Sequence, residues 1–398
     1  MLFKFAFRRN LIYPLQLIIW HFLRQVTVEL IDHFYKFENS LAYTPIVFFG
    51  EIMGGLTFYL FQKLSFKRKR SEKDPYFMSI KLIQDKAESA LAPRDNYFKI
   101  AFLIFVTAYI DLAQFLYWAI NIPKFVNVSK TLIPRLSCLS TIAVAMYYIH
   151  ILKLSIYKHH KFSLIVMGIC LVVTLGTEYL FQKIDIFLSY GELSLALILV
   201  LIKHILAPII DLLEKYLFEY DHMNPFLVLM FEGFVGFSLS FFLYFTPNYL
   251  DDLILVLEER KGWDLFFFIF LVIFYIICSA LRNAFKMVTI KLYSPITRTL
   301  SDNVLTPLYL IVYFIIGVDF EGKKNMKYFY FIVNLILSLI VSFSSFIYSE
   351  FIVLFCWGLE TNTHDQVVQR ALTFESIDKY NLVNIDGESE NSSNYDKD

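Results

Sequence analysis

The chain has 398 residues, of which 57% are hydrophobic and 18% aromatic, with 43 Phe and 26 Tyr. That apolar load lies well outside the range of soluble domains and points to a membrane protein. The 36 basic and 36 acidic side chains cancel, so no global basic field points to nucleic acid and charge acts only through its placement.

A helix crossing the hydrocarbon core needs about 20 mainly apolar residues. By that measure the sequence predicts ten spans: 12–34, 43–62, 98–120, 129–152, 161–182, 192–215, 225–246, 264–288, 294–317 and 327–355. In the first, "WHFLRQVTVELIDHF" puts ionisable groups where each costs roughly 2.5–3.5 kcal/mol at the membrane centre. His21, Arg24, Gln25, Glu29, Asp32 and His33 share one half of the helix circumference, and Leu23, Val26, Leu30, Ile31 and Phe34 take the other. Arg24 therefore either faces a cavity or joins Glu29 or Asp32 in an ion network. The run "GEIMGG" (50–55) in the second span reads as a helix-packing surface, since it lacks the strand and the Lys of a phosphate loop.

In the third span Asp111, Gln114, Tyr117 and Trp118 recur at helical spacing and share a face. This suits a pocket in which a carboxylate and an amide orient a ligand beneath aromatics; the alternative is an internal partner for Arg24 or Arg135. Arg135 and Arg298 stand near the starts of the fourth and ninth spans, where the helix dipole adds positive potential. There they can hold phosphate or carboxylate, or snorkel to headgroups, and Asp302, one turn after Arg298, can satisfy it internally. His159 and His160 in "KHHKF" read as facing cytosol or headgroups rather than a metal. The sixth span supplies Asp211, Glu214 and Lys215. Glu232 in the seventh, beside Gly233 and Gly236, lies at a packed interface or cavity wall, either as a proton-coupling group or bonded to Lys203 or Asn283. Cys138, Cys170, Cys278 and Cys356 sit in separate apolar runs without CxxC spacing and read as buried small hydrophobes.

Basic residues concentrate on one side of the predicted spans, which is the cytosolic side by the positive-inside rule. They are Lys4, Arg8 and Arg9, the basic 63–97 loop, Lys153, Lys158 and Lys161, and Lys291 with Arg282 and Lys286 just before it. The run "GKKNMK" (322–327) resists that pattern, but the balance puts both termini in the cytosol. The acidic, polar tail within 357–398 is expected to be largely disordered. The division expected is 1–185, 186–356 and this tail.

The span "SKTLIPRLSCLSTIAVAMYYIHIL" (129–152) resembles "SPITRTLSDNVLTPLYLIVYFIIG" (294–317), five spans later. An odd repeat of five enters the membrane from the opposite side, which gives an inverted pair. The stretch "EKYLFEYDHMNPFLVLMFEGFVGF" (214–237) closely resembles a pattern of solute carrier family 35, subfamily F, in the drug/metabolite transporter superfamily (EamA-like). "RNAFKMVTIKLYSPITRTLSDNV" is similar to the same family's eighth-to-ninth helix passage, with Asn283, Arg298 and Asp302 on matching positions. Asp111 in "IDLAQFLYWAI" and Arg135 also match. The resemblance spans most of 98–350 and departs at one extra residue between Lys215 and Pro225, at the long basic loop and at the acidic tail.

What the resemblance implies is an all-α polytopic protein of ten transmembrane helices in two inverted five-helix repeats. Its expected function is secondary transport of a small polar or anionic organic solute, including nucleotide-linked ones, by exchange or proton coupling. Arg24, Asp111, Gln114, Arg135, Glu232, Asn283, Arg298 and Asp302 are the expected solute pathway. The alternative is a non-transporting scaffold or receptor with a transporter-like fold. No HExxH, GxSxG, GxGD-like pair or Cys/His cluster speaks for an enzyme. Neither metal nor cofactor is expected. The expected partners are the solute and membrane lipid, with a homodimer left open and nucleic acid excluded. The family suits a eukaryotic endomembrane (Golgi, ER, vacuole or lysosome), the plasma membrane being the alternative.

Overall fold

Within a bilayer every backbone polar group must be satisfied inside its own segment, so long apolar runs fold as helices. The computed structural model describes residues 3–5, 12–35, 43–70, 97–121, 132–150, 156–185, 190–242, 254, 257–316, 324–355, 357–359 and 363. Most of the basic loop, Cys356 and the tail from 364 onward lie outside the described residues, as do the side chains of Tyr117 and Trp118.

The elements in chain order are β1 (Phe3–Phe5), α1 (Ile12–Tyr35), α2 (Tyr43–Arg70), α3 (Tyr97–Asn121), α4 (Leu132–Arg135), α5 (Cys138–His150) and α6 (Lys158–Asp185). They continue with α7 (Tyr190–Glu219), α8 (Pro225–Ser240), α9 (Trp263–Leu292), α10 (Pro295–Ile316), α11 (Lys324–Tyr348) and β2 (Ile352–Leu354). Among the described residues, seven helical stretches are long and apolar enough to cross a membrane: α2, α3, α4 with α5, α6, α9, α10 and α11. The chain is an all-α, multi-pass membrane protein. Stripes such as Ile165, Ile169 and Val172 on α6, or Ile332, Ile336 and Leu339 on α11, expose apolar side chains outward at helical spacing. Of the long helices outside the set of seven, α1 carries Gln16, His21, Arg24, Gln25, Glu29 and Asp32 among its apolar residues and α7 carries Lys203, Asp211, Glu214 and Lys215, while α8 has only 16 residues.

Local chemistry explains where the elements start and stop. The Asn224 side chain accepts the Phe226 N–H at 3.0 Å and Pro225 opens α8, a cap followed by a residue whose missing N–H is harmless there. The fourth predicted span is not continuous: it breaks at Leu136–Ser137 between α4 and α5. Side chains compete for its carbonyls, because Thr306 Oγ1 donates to Pro134 O at 2.9 Å and His204 Nε2 lies 2.9 Å from Ile133 O. The turn tightens in response, with Ser137 N donating to Pro134 O and Ser140 N to Ser137 O. The last predicted span also ends early. After Tyr348 the chain forms β2, which pairs antiparallel with β1, Lys4 opposite Val353. A three-residue strand whose partner is almost 350 positions away leaves no periodic trace in the sequence.

The helices pack in a set of pairs: α1 with α9 and α10, α2 with α8 and α9, α3 with α7 and α8, α5 with α6, α7 and α10, and α11 with α6 and α10. The "GEIMGG" run is where backbones touch. A Cβ on Gly55 would sit 2.7 Å from Met230 N, one on Gly54 2.6 Å from Ala280 O, and one on Gly233 2.8 Å from Ile52 N. Cys138 and Cys170 lie in an apolar cluster with Met167, Ile296 and Tyr348, and Cys278 is also buried as a free thiol.

Candidate functional site

Behind this apolar exterior lies one polar interior. A cavity of about 310 Å³ opens between α1, α2, α3, the α4–α5 break, α7, α9 and α10. Its walls carry Arg24, Lys203, Arg282, Lys286 and Arg298 together with Glu51, Asp111, Asp211 and Asp302, and also His21, Gln25, Gln114, Ser137, Ser140, His204, Tyr309 and Tyr313. The outer helices α6 and α11 contribute no described residue to it.

Part of this charge is internally matched. The Arg298 guanidinium lies 3.2 Å from both Asp211 and Asp302, and Lys286 lies 2.6 Å from Glu214 and 3.4 Å from Asp211. His21 Nδ1 stands 3.2 Å from Asp302. Asp302 thus bridges α1 and α10, and Asp211 bridges α7, α9 and α10. These groups are buried but face a space large enough for water or solute, so the full desolvation penalty of an ion pair does not apply to them.

The remaining guanidiniums are differently placed. Arg24 lies over the Tyr275 ring, 5.6 Å from its centroid, and among the described residues no carboxylate is within ion-pair distance of it. Arg282 donates one Nη to Asn283 Oδ1, its buried Nε has no hydrogen-bond acceptor, and it too lacks a carboxylate at ion-pair distance. Arg282 is repelled by both Arg24 and Arg298 across the cavity. Two guanidiniums, each bringing several fixed N–H donors, therefore face one space with donors to spare. Facing them from α3, Asp111 makes no ion pair among the described residues and Gln114 Nε2 is buried without an acceptor.

A second, much smaller void adjoins the cavity wall and is lined by Glu51, Thr107, Asp111, Glu214, Glu232, Asn283 and Lys286. Thr107 Oγ1 donates to Glu232 at 2.6 Å, and Asn283 Nδ2 donates to Glu51 at 2.9 Å. Glu232 is thus bound to Thr107, not to the expected Lys203 or Asn283. Charge on Glu232 interacts with Glu214 and Glu51, and charge on Glu51 with Asp111, so the carboxylates form one electrostatic group behind the cavity.

Arg135 is elsewhere. It donates to Glu178 Oε2 at 2.7 Å, to Asn334 Oδ1 at 2.8 Å and to Tyr330 OH at 2.7 Å, with the Tyr330 ring 5.2 Å below its guanidinium. Tyr330 OH also donates to Glu178. This closed cluster ties α4 to α6 and α11 and does not line the cavity. Of the expected pathway residues, Arg24, Asp111, Gln114, Arg298 and Asp302 lie together on the cavity wall, Glu232 and Asn283 stand behind it, and Arg135 is apart. Along α1 the expected polar half-circle divides. Gln25 donates to Glu29 and Tyr313, Asp32 accepts from Tyr43 at 3.0 Å, and His33 is exposed.

Lys203, His204, Glu51, Arg282 and Lys286 were not among the expected pathway residues. On α7 the signal was present, since Lys203, Ala207, Ile210 and Asp211 recur at helical spacing with the polar ends on one face. No protein-family model and no curated protein matches the chain.

Proposed function

We propose that this chain is a secondary transporter that binds a small anionic organic solute in the central cavity and moves it by alternating access. The observation that carries the reading is the pair Arg24 and Arg282, held on α1 and α9 in one cavity without carboxylate partners among the described residues. Guanidiniums with unused donors on the wall of a buried cavity attract phosphate or carboxylate groups by charge-assisted, often bidentate hydrogen bonds. The volume of about 310 Å³ suits a metabolite-sized ligand. Asp302 and Asp211, by already engaging Arg298 and Lys286, leave ion pairs that a solute can exchange into as the helices shift.

The ten-span, two-repeat architecture is part of the same proposal. Taking α1, α2, α3, α4–α5 and α6 as equivalent to α7, α8, α9, α10 and α11, packing of α1 on α9 answers α7 on α3. Likewise α2 on α9 answers α8 on α3, and α1 on α10 answers α7 on α5. The pairs α2 with α8, α5 with α10 and α6 with α11 map onto themselves. Such pairing supports an inverted repeat with its site at the pseudo-twofold axis, as the resemblance to solute carrier family 35 subfamily F implies. Glu51, Glu214 and Glu232 supply the groups through which proton movement is coupled, if the cycle is not a strict exchange. Cytosolic termini and an endomembrane setting complete the reading.

The test is uptake into liposomes containing the purified protein, across labelled nucleotide sugars, nucleosides, organic acids, amino acids and organic cations. Each is run with and without internal counter-substrate and a pH gradient. Saturable uptake of an anion, lost in Arg282→Ala, supports the proposal. Silence across the panel from folded protein favours the scaffold alternative, and uptake confined to cations overturns the anion assignment.

A further inference from the structure

Away from the cavity, at the start of α6, His159 is only 3% exposed, yet neither of its ring nitrogens has a hydrogen-bond partner. The sequence reading set this histidine facing cytosol or headgroups; the fold buries it against the segment that follows α11. Its Nε2 lies 3.3 Å from Glu350 Oε1 without forming a hydrogen bond. The neighbouring His160 ring centres 4.0 Å from that of His159, and one nitrogen from each ring and a Glu350 carboxylate oxygen lie within 4.8 Å of one another.

A buried imidazole with no hydrogen bond at either nitrogen, beside a second imidazole and a carboxylate, calls for an occupant. We infer that His159, His160 and Glu350 bind a divalent zinc-like ion that clamps the start of α6 to the end of α11. Two imidazoles and one carboxylate are a well-known zinc donor set that leaves one position for water. Bonds of about 2.0–2.1 Å at tetrahedral angles separate neighbouring ligand atoms by roughly 3.3 Å, which is the spacing already present between His159 and Glu350. Packing and backbone conformation restrict the donors. The His160 ring stacks on Tyr348 at 4.4 Å. The Ser163 hydroxyl donates to His159 O at 3.0 Å. Glu350 adopts a left-handed backbone (φ 58°), uncommon for a residue with a side chain, at the turn between α11 and β2.

The clamp joins α6 to α11, helices that line no described part of the cavity. It therefore stands or falls independently of the transport proposal. The test uses purified full-length protein with any polyhistidine tag removed, dialysed against a chelator, then titrated with zinc and analysed for bound metal. The expected result is a single retained zinc ion per chain, a higher thermal midpoint with zinc than with chelator, and at least tenfold weaker zinc binding in His160→Gln and in Glu350→Gln. His159→Gln also removes a buried group, so the two milder variants keep the inference testable if it does not fold. Folded wild-type protein that retains no zinc, or zinc binding unchanged in both variants, overturns the site. A thermal midpoint lowered equally in the variants with and without zinc also overturns it, reducing the cluster to a His159–Glu350 ion pair.

Discussion

Arg135 and Arg298 occupy similar places in similar sequences, "SKTLIPR" and "SPITR", and end in opposite environments. Arg135 is saturated by Glu178, Asn334 and Tyr330 in a cluster that leaves no room for a ligand. Arg298 shares Asp211 and Asp302 at 3.2 Å each on the wall of a cavity that also holds Arg24, Arg282 and Lys203. The difference lies in which residues the neighbouring helices bring. Glu178 from α6 and Tyr330 from α11 close around one arginine, while α1, α7 and α9 add further cations beside the other. A buried arginine is thus a closed structural tie or part of a cavity wall according to whether the groups that pair with it also face an open space.

The comparison predicts its largest effect at the closed cluster. Arg135→Met strands Glu178 in the interior and costs about 3–5 kcal/mol, as breaking one side of a buried pair does. Arg298→Met costs no more than about 2 kcal/mol, because Asp211 keeps Lys286 and Asp302 keeps His21. Thermal or denaturant unfolding in detergent measures both. Equal losses at the two sites would erase the distinction between the closed tie and the cavity-wall ion pairs.

Much of this division was beyond the reach of the sequence, for a physical reason. Polar residues inside apolar runs were visible, and the cavity gathers Arg24, Asp111, Gln114, Arg298 and Asp302, which were found that way. Partners were not visible, since Glu178 lies 43 positions from Arg135 and Tyr330 lies 195. Glu51 was hidden by the glycines around it, which read correctly as packing surface. Arg282 and Lys286 were counted with the basic loop that follows, yet both stand inside α9 and face the cavity. The helices themselves were legible because their apolar runs are long. The α4–α5 break was not, because the His204 and Thr306 side chains that engage its carbonyls come from other helices.

The next effect in size sharpens the functional half of the comparison. Arg24→Ala or Arg282→Ala removes a donor that no carboxylate of the described chain occupies, so the fold loses little. An anion bound as proposed loses charge-assisted bonds of about 1.5–3 kcal/mol, or roughly 10- to 100-fold in affinity. Uptake kinetics in liposomes read this as a raised half-saturation concentration at near-normal thermal stability. An unfolded Arg282→Ala protein would instead make Arg282 a tie like Arg135.

The smallest effects test how the two regions are built. The cavity wall at Glu51 is set by backbone contact: a Cβ on Gly55 would lie 2.7 Å from both Met230 N and Phe226 O, atoms that cannot rotate away. Gly55→Ala must push α2 from α8, at about 1–3 kcal/mol for forced overpacking. That shift also displaces Glu51 and lowers uptake. On α6, which supplies Glu178 to the closed cluster, a Cβ on Gly176 would meet nothing within 4 Å. There the helix has only the flexibility of glycine to lose, so Gly176→Ala is neutral or stabilises by up to about 1 kcal/mol. The pair is read in one experiment, thermal midpoint beside uptake. If both alanines are tolerated, close backbone approach does not shape the cavity wall. If Gly176→Ala destabilises, the Arg135 cluster depends on main-chain adjustment as well as on its side chains, and the contrast between the two regions narrows.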